Sequence, residues 1–194
     1  MSVVPARLGH MTKIDSWDVL IQEVRAGARV RYLHFWGHRP RPDGQVSASC
    51  LSQWWASPFT VDGVSYATAE HWMMAEKARL FGDPEAERQV LAAGHPSEAK
   101  KAGRLVRGFD DAVWKRERFR IVVEGSVHKF AAHADLRGYL LGTGERVLVE
   151  ASPVDRVWGI GLAARDDGAG DPERWRGENL LGFALMEARE RLRG

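Results

Sequence analysis

The chain has 194 residues, a single cysteine and a formal net charge of +2. This length fits one domain of ordinary size, and a hydrophobic fraction of 44% is enough for a core. The lone thiol, Cys50, excludes an internal disulfide framework and a cysteine-rich zinc site. A protein that holds duplex DNA through its phosphates alone would carry a stronger basic excess, so composition favours a compact ligand over a polyanion.

No segment is typical of a secreted or membrane protein. Residues 1–9 lack the long apolar run of a signal peptide. No stretch approaches the ~20 apolar residues that a membrane span needs. A single cysteine also suits a reducing compartment. We therefore expect a cytoplasmic protein without membrane association.

The N-terminal part is predicted to hold a helix and then a strand. Residues 1–14 show no periodicity, whereas Ser16 can cap a helix with apolar residues at helical spacing, which Gly27 ends. Residues 30–36 predict a strand, and the Pro-, Arg- and Gly-rich residues 38–47 a loop.

A hairpin and a helix follow. Asp62-Gly63 separates two short apolar stretches, 59–61 and 64–66, and supplies the positive φ angles that a two-residue turn needs. Thr68 is a suitable N-cap for a helix over residues 69–81, which ends at the glycine and proline that follow.

The rest of the chain is predicted to be mainly helical. Its elements, in chain order, are helices over 84–93 and 97–106, a longer helix capped by Asp110 or Asp111 and running through Phe130, a short helix over 136–141, a strand over 147–149, a Gly- and Asp-rich loop over 152–171 and a last helix over 179–192. No repeat or interdomain linker interrupts this order. The pattern predicts an α+β fold, a mainly helical single domain with a small β-sheet.

The first candidate for chemistry lies on the helix predicted over residues 69–81. Glu70 occupies its first turn, where the helix dipole favours an anion, and Lys77 returns to the same face. The carboxylate could stabilise positive charge at an anomeric carbon or activate water. The amine could pair with it, or capture an opened sugar aldehyde as a Schiff base. From spacing alone, a first-turn acid and a surface lysine are the commoner explanation.

The second candidate is the loop over residues 152–161. Asp155 could bind a ribose hydroxyl or position water, and Trp158 could stack on a base. Backbone amides near Gly159 and Gly161 could meet a phosphate, although this glycine spacing is too short for a dinucleotide fingerprint. An ordinary turn around a buried tryptophan fits the segment about as well.

The third candidate opens the last predicted helix. Asn179 is a suitable N-cap, and the amides of that turn could bind an anion, but a simple cap is the commoner use. No histidine pair has metal spacing, so we expect neither a metal nor another cofactor. The basic clusters at 115–120 and 189–193 fit solvated helix faces better than a nucleic-acid footprint.

Short motifs in a fixed order resemble the YbiA/NADAR family. These motifs are Phe35-Trp36, Leu51-Ser52-Gln53-Trp54-Trp55, Ser57-Pro58-Phe59, Tyr66 to Met73, Lys77-Ala78, Lys129-Phe130, Leu140 to Gly144, Glu150 to Asp155, Trp158 to Gly161, Asn179 to Gly182, and Leu185-Met186 with Arg189. No single motif is decisive, but their joint order is specific. The resemblance implies a YbiA-like domain at residues 31–194, with residues 1–30 as an N-terminal extension containing one helix.

The resemblance also implies an N-glycosidase that acts between a base and a phosphorylated ribose. One branch of the family removes ribose phosphate from early riboflavin-pathway intermediates. Another removes ADP-ribose from guanine and works as an antitoxin beside a DNA ADP-ribosyltransferase. We expect a monomer that acts on ADP-ribosylated guanine, in a nucleotide or in DNA. Riboflavin intermediates, or a non-catalytic module that holds NAD or ADP-ribose, are the alternatives.

By resemblance, the catalytic candidates are Glu70, Lys77 and Asp155. The expected substrate-binding positions are Phe35, Trp36, Ser52, Trp54, Trp72, Trp158, Gly159, Gly161 and Asn179. The chain departs from the family pattern at three places: Gln53 stands where asparagine is expected, Trp72 where tyrosine or phenylalanine is usual, and residues 123–127 lack the methionine common before Lys129-Phe130. The first two changes bear on the site. These departures could alter which base is accepted.

Overall fold

The computed structural model describes residues 13–194, so residues 1–12 of the predicted N-terminal extension lie outside the described part. Within residues 13–194 the regular elements are α1 (Trp17–Arg25), β1 (Tyr32–Phe35), β2 (Phe59–Val61), β3 (Val64–Tyr66), α2 (Ala69–Leu80), α3 (Pro84–Ala92), α4 (Pro96–Arg104), α5 (Asp111–Ala132), α6 (Ala134–Gly142), β4 (Val147–Glu150) and α7 (Leu180–Arg193). Short 3-10 turns at Ala48–Leu51 and Pro172–Arg174, which were not predicted, complete the chain.

The predicted α+β fold, mainly helical with little sheet, is confirmed. The strands form two separate pairs. β1 pairs with β4 in parallel, from Tyr32 opposite Val147 to Phe35 opposite Glu150. β2 and β3 form the predicted antiparallel hairpin, and Asp62 and Gly63 at its turn both have positive φ angles.

Helix α2 lies at the centre of the fold and packs against α3, α4 and α5. Thr68 caps it as predicted, because its hydroxyl oxygen accepts from the His71 backbone N–H at 3.4 Å. Most of the helix is buried. Its Trp72 indole donates to the Ile121 carbonyl of α5 at 2.9 Å, and Gly125 leaves room for the ring. Any side chain at the first turn of α2 is therefore held rigidly.

Asn179 at the start of α7 has a different role from the predicted N-cap. Its φ of 54° is left-handed, and its side chain makes no capping hydrogen bond. Instead its Nδ2 donates to the Leu148 carbonyl at 2.9 Å, and its Oδ1 accepts from the Glu150 N–H at 3.0 Å. The left-handed backbone directs the amide to β4, where it replaces the neighbour that an edge strand lacks.

Helix α7 also approaches β4 closely along its first turn. A Cβ atom at Gly182 would collide with the Leu148 carbonyl, so only glycine fits there. In residues 13–194, no helix is both long and apolar enough to cross a membrane.

Candidate active site

Glu70 is a buried carboxyl group in the first turn of α2, with 2% of the residue exposed. Its backbone N–H donates to the Gln53 carbonyl at 3.0 Å, which fixes the start of the helix against the preceding turn. Its Oε1 atom is buried and has no hydrogen-bond partner among the described residues. A buried polar atom without a partner is costly, and a catalytic role is one of the explanations for such an atom in a folded protein.

Glu150 is a second acid of the same kind, and the sequence reasoning did not single it out. It is the last residue of β4, and its Oε2 is buried without a partner in the described chain. Its backbone is fixed on both sides: the N–H donates to Asn179, and the carbonyl accepts from Ile160 at 3.0 Å. An acid that ends a short buried strand was the available signal, because side chains at the carboxyl ends of parallel strands line ligand sites.

Glu70 lies close enough to Glu150 to raise the pKa of Glu150. Burial raises the pKa of Glu70 to about 7, Asp155 adds to the rise, and Lys100 opposes it. Burial raises the pKa of Glu150 to about 8, and Asp155 and Glu70 add to this rise while Lys100 again opposes it. Three carboxyl groups from α2, β4 and the following loop therefore meet one lysine from α4.

Asp155 holds the loop after β4 in shape. Its Oδ1 accepts from the Val157 N–H at 2.9 Å and from the Trp158 N–H at 2.8 Å. The Gly161 amide, considered from the sequence as a phosphate contact, donates to the Asp155 carbonyl at 3.0 Å. A Cβ atom at Gly159 would lie 2.8 Å from the Glu150 carbonyl. The glycines here serve close packing of the loop onto β4.

Aromatic rings and Lys100 form one side of the site. The Trp54 ring lies 5.5 Å from His38 and 5.8 Å from His95, centroid to centroid. The Lys100 Nζ is 5.9 Å from the same ring. The Trp54 side chain lies close enough to Glu70 to favour its ionised form and so lower its pKa. Trp54, predicted to bind substrate, is thus brought together with Glu70.

Lys77 lies elsewhere along α2. It is two helical turns, or ~10 Å, from Glu70 along the helix axis. Its Nζ donates to the Gly103 carbonyl at 2.8 Å and lies 4.3 Å from the centre of the Phe109 ring. Burial and the nearby Arg104 lower the pKa of Lys77. Lys100, which was not predicted, is the lysine with the largest influence on Glu70.

The other expected substrate contacts divide between core, loop and surface. Phe35 and Trp72 are buried in the core, whereas Trp36 is 60% exposed and Trp158 half-buried. The Ser52 hydroxyl accepts from the Trp54 N–H at 3.1 Å and shapes the turn. Asn179 lies under β4, as described above. Trp54 and the loop carrying Trp158 therefore remain the best candidates for direct contact.

Two surface pockets lie apart from these acids. One, of about 370 Å³, is beside Val147 and Arg189, and the other, of about 400 Å³, is beside Arg174 and Arg176. Neither is lined by Glu70 or the residues around it. Because no buried acid oxygen without a partner lines either pocket, we take the glutamates as the candidate site. Within residues 13–194, no group of three or more His, Cys, Asp or Glu side chains is arranged to hold a metal ion.

Comparisons with known proteins identify the family of this chain. Residues 34–193 match the family described as NADAR domain. N-glycosidase R617 of Acanthamoeba polyphaga mimivirus is 38% identical over 165 residues, which cover 82% of this chain and 95% of that protein. N-glycosidase YbiA of Escherichia coli is 33% identical over 142 residues, covering 73% and 80%. The NMR structure of Escherichia coli YbiA matches with a TM-score of 0.67 at 27% identity, covering 86% of this chain and 87% of that one.

The chain belongs to the NADAR domain family. The predicted resemblance and the YbiA-like fold are both confirmed. The prediction of a hydrolase that acts on N-glycosyl bonds is confirmed by the N-glycosidases among its relatives.

Proposed function

We propose that the protein removes ADP-ribose from ADP-ribosylated guanine, in a nucleotide or in DNA, by cleaving the bond between the base and the anomeric carbon. The observation that carries this proposal is the pair of buried carboxyl groups, Glu70 and Glu150, each with an oxygen that lacks a partner in the described chain. Glycoside hydrolysis typically uses two carboxyl groups in different protonation states.

The unequal pKa values of the two acids suggest how they divide the work. With the pKa of Glu150 at about 8 and that of Glu70 at about 7, the pair retains a proton at neutral pH. Glu150 is then the better proton donor to the departing base. Ionised Glu70 stabilises positive charge on the ribose ring and orients the attacking water.

The cationic side of the site suits a diphosphate. Lys100 and Arg104 are four residues apart on α4 and share one face. Both favour the ionised form of Glu70, so both lie near it. They can pair with the phosphates of ADP-ribose while Trp54 stacks on an aromatic base. Asp155, expected to be catalytic from the resemblance, adds negative charge beside the ribose.

This arrangement does not favour a module that only binds NAD or ADP-ribose. Both ligands are anionic, and an ionised Glu70 beside them would oppose binding without aiding any other step. Early riboflavin-pathway intermediates also carry a phosphorylated ribose bonded to nitrogen. The acid pair alone would fit them, so they remain the alternative substrate.

The test is incubation of the purified protein with ADP-ribosylated GMP, with an oligonucleotide ADP-ribosylated on guanine, and with an early riboflavin intermediate, followed by mass analysis. We expect free ADP-ribose from one or both of the first two, and a loss of ~10²-fold or more in Glu70→Gln and in Glu150→Gln. Glu145→Gln, at an exposed acid, is the matched control. Cleavage of the riboflavin intermediate alone would reassign the substrate, and binding without cleavage would exclude an enzyme of this specificity.

A further inference from the structure

Lys129 is a fully buried lysine that none of the steps above uses. It projects from α5 and has 0% of its surface exposed. Its Nζ donates to the carbonyl oxygens of Cys50 at 2.6 Å and Ser52 at 2.8 Å. No carboxylate forms an ion pair with it in the described part of the chain. Burial lowers the pKa of Lys129 to about 7.

The turn that Lys129 holds acts on Glu70 in two ways. The Gln53 carbonyl accepts the Glu70 N–H at 3.0 Å, and the Trp54 side chain favours the ionised carboxylate. Within the turn, the Ser52 hydroxyl accepts from the Trp54 N–H. A displacement of residues 50–54 would therefore move both the helix start and the indole at the acid.

Stability alone explains Lys129 poorly. Moving an amine out of water is expensive, and hydrogen bonds to two neutral carbonyls return only part of that cost. An apolar side chain of similar length would avoid the penalty, and replacing buried charges by packed apolar groups is often neutral or stabilising. The amine, unlike an apolar chain, can fix the positions of the Cys50 and Ser52 carbonyl groups.

We propose that Lys129 is a positioning residue that clamps the turn at residues 50–54 so that Trp54 and Glu70 meet the substrate in one fixed arrangement. As a role in catalysis, this rests on the proposed function. As a structural link from α5 to Trp54, it can be tested without any substrate.

The first experiment compares Lys129→Met with Lys115→Met by NMR. Lys115 is on the same helix, is exposed and pairs with Asp111, so it is the matched control. The indole N–H resonance of Trp54 is assigned by its loss in Trp54→Phe. In the wild type and in Lys115→Met, we expect this resonance to titrate with the Glu70 carboxyl near pH 7. In folded Lys129→Met, we expect it to shift and to lose that titration.

The second experiment is a double-mutant cycle on a confirmed substrate. We expect Lys129→Met to lower kcat/KM by roughly 10- to 100-fold, the scale of a small misplacement of catalytic groups. If Lys129 acts through Trp54, adding Trp54→Phe should cost little more, because linked residues are not additive. Lys129→Gln, which can still donate to one carbonyl, should fall between the wild type and Lys129→Met.

The outcomes separate the two ideas. An unchanged, still-titrating Trp54 resonance in folded Lys129→Met overturns the positioning role, and so do additive losses in the cycle. Failure of both Lys129 variants to fold would make the residue structural and would also overturn it. A wild type without N-glycosidase activity would remove the proposed function, while the NMR comparison would still decide whether Lys129 positions Trp54.

Discussion

At the scale of single residues, the buried acids of the site destabilise the fold. Glu70 and Glu150 are buried, lie within each other's electrostatic influence, and each has an oxygen without a partner in the described chain. The neighbouring Asp155 makes ionisation of both harder. A sequence selected for stability alone would place amides or apolar groups here. We expect the cost of these acids to be measurable through their protonation.

Replacing Glu70 by glutamine should stabilise the protein at alkaline pH. Between its ordinary pKa of 4.5 and its raised pKa of about 7, the native state holds a proton that the unfolded chain has lost. The free energy of unfolding therefore falls as pH rises through this window. Glu70→Gln removes that loss, so we expect it to raise the free energy of unfolding by on the order of 2 kcal/mol at pH 8 and by little at pH 4.5. Urea unfolding at both values measures it. An equal gain at both would show that protonation is not the cause.

Lys100 and Lys77 are both candidates for the amine of the site, and their surroundings favour Lys100. Lys100 acts on both glutamates, whereas the Lys77 amine is bonded to the Gly103 carbonyl. We expect Lys100→Met to lower kcat/KM at least ~10-fold more than Lys77→Met, with the exposed Lys101→Met as control. Borohydride added during turnover locates any imine that forms. A trapped adduct on Lys77 would reverse this ranking.

Trp158 should matter more for the ligand than for the fold. It is only half-buried, although it packs against the core, and its backbone N–H bonds to Asp155 survive substitution. Loss of base stacking typically costs ~1–3 kcal/mol. We therefore expect Trp158→Ala to raise the calorimetric Kd for ADP-ribose by ~10-fold or more, and Trp158→Phe to recover part of it. An unchanged Kd with a large fall in Tm would make Trp158 a core residue.

At the scale of elements, local signals predicted most of the fold, and Glu70, Trp54 and Asp155 of the proposed site were candidates from the sequence. The Asp-Gly turn and the Thr68 cap act through neighbouring backbone, so sequence alone reveals them. Lys100 and Glu150 reach the site only through tertiary packing of α4 and β4, which no local pattern encodes. The role of Asn179 was misread for a related reason: its left-handed φ directs the amide away from its own helix.

Substitution of two helical glycines separates the effect of side-chain packing from that of helix propensity. A Cβ atom at Gly182 in α7 would meet the Leu148 carbonyl, which cannot move without disturbing β4. Gly138 in α6 has nothing within 4 Å of the same position. We expect Gly182→Ala to destabilise the protein by several kcal/mol, and Gly138→Ala to stabilise it by up to ~1 kcal/mol. Thermal unfolding of both variants measures this, and similar Tm changes would contradict the close α7–β4 contact.

At the scale of the whole molecule, buried ionisable groups shape the pH dependence of stability. The two site glutamates keep protons in the native state up to about pH 7 and 8, so together they lower stability as pH rises from 5. Burial lowers the pKa of His71 from its ordinary value of 6.5. Below pH 6.5, His71 therefore makes stability rise with pH and offsets the effect of one glutamate. Lys129 raises stability as pH rises above 7, because the native amine has lost its proton while the same amine in the unfolded chain keeps it up to about pH 10.5.

The sum predicts a minimum of stability near pH 7–8, with higher Tm values at pH 5 and pH 9. This differs from the usual single-domain protein, which is most stable between about pH 5 and 8. Tm values measured at fixed ionic strength across pH 5–9 provide the test. The Glu70→Gln, Glu150→Gln double variant should flatten the acid side of the curve. A maximum at neutral pH in the wild type would contradict the burial of these acids.

The parallel pairing of β1 with β4 also determines when in folding the acid pair can exist. The two strands enclose a loop on the order of a hundred residues, and closure of so long a loop is slow compared with helix contacts. Helices α2 to α6 all lie inside that loop, so they can assemble first. Glu150 reaches Glu70 only when β4 docks beside β1. Until β4 docks, a chain whose helices α2 to α6 have formed therefore holds only one of the two acids.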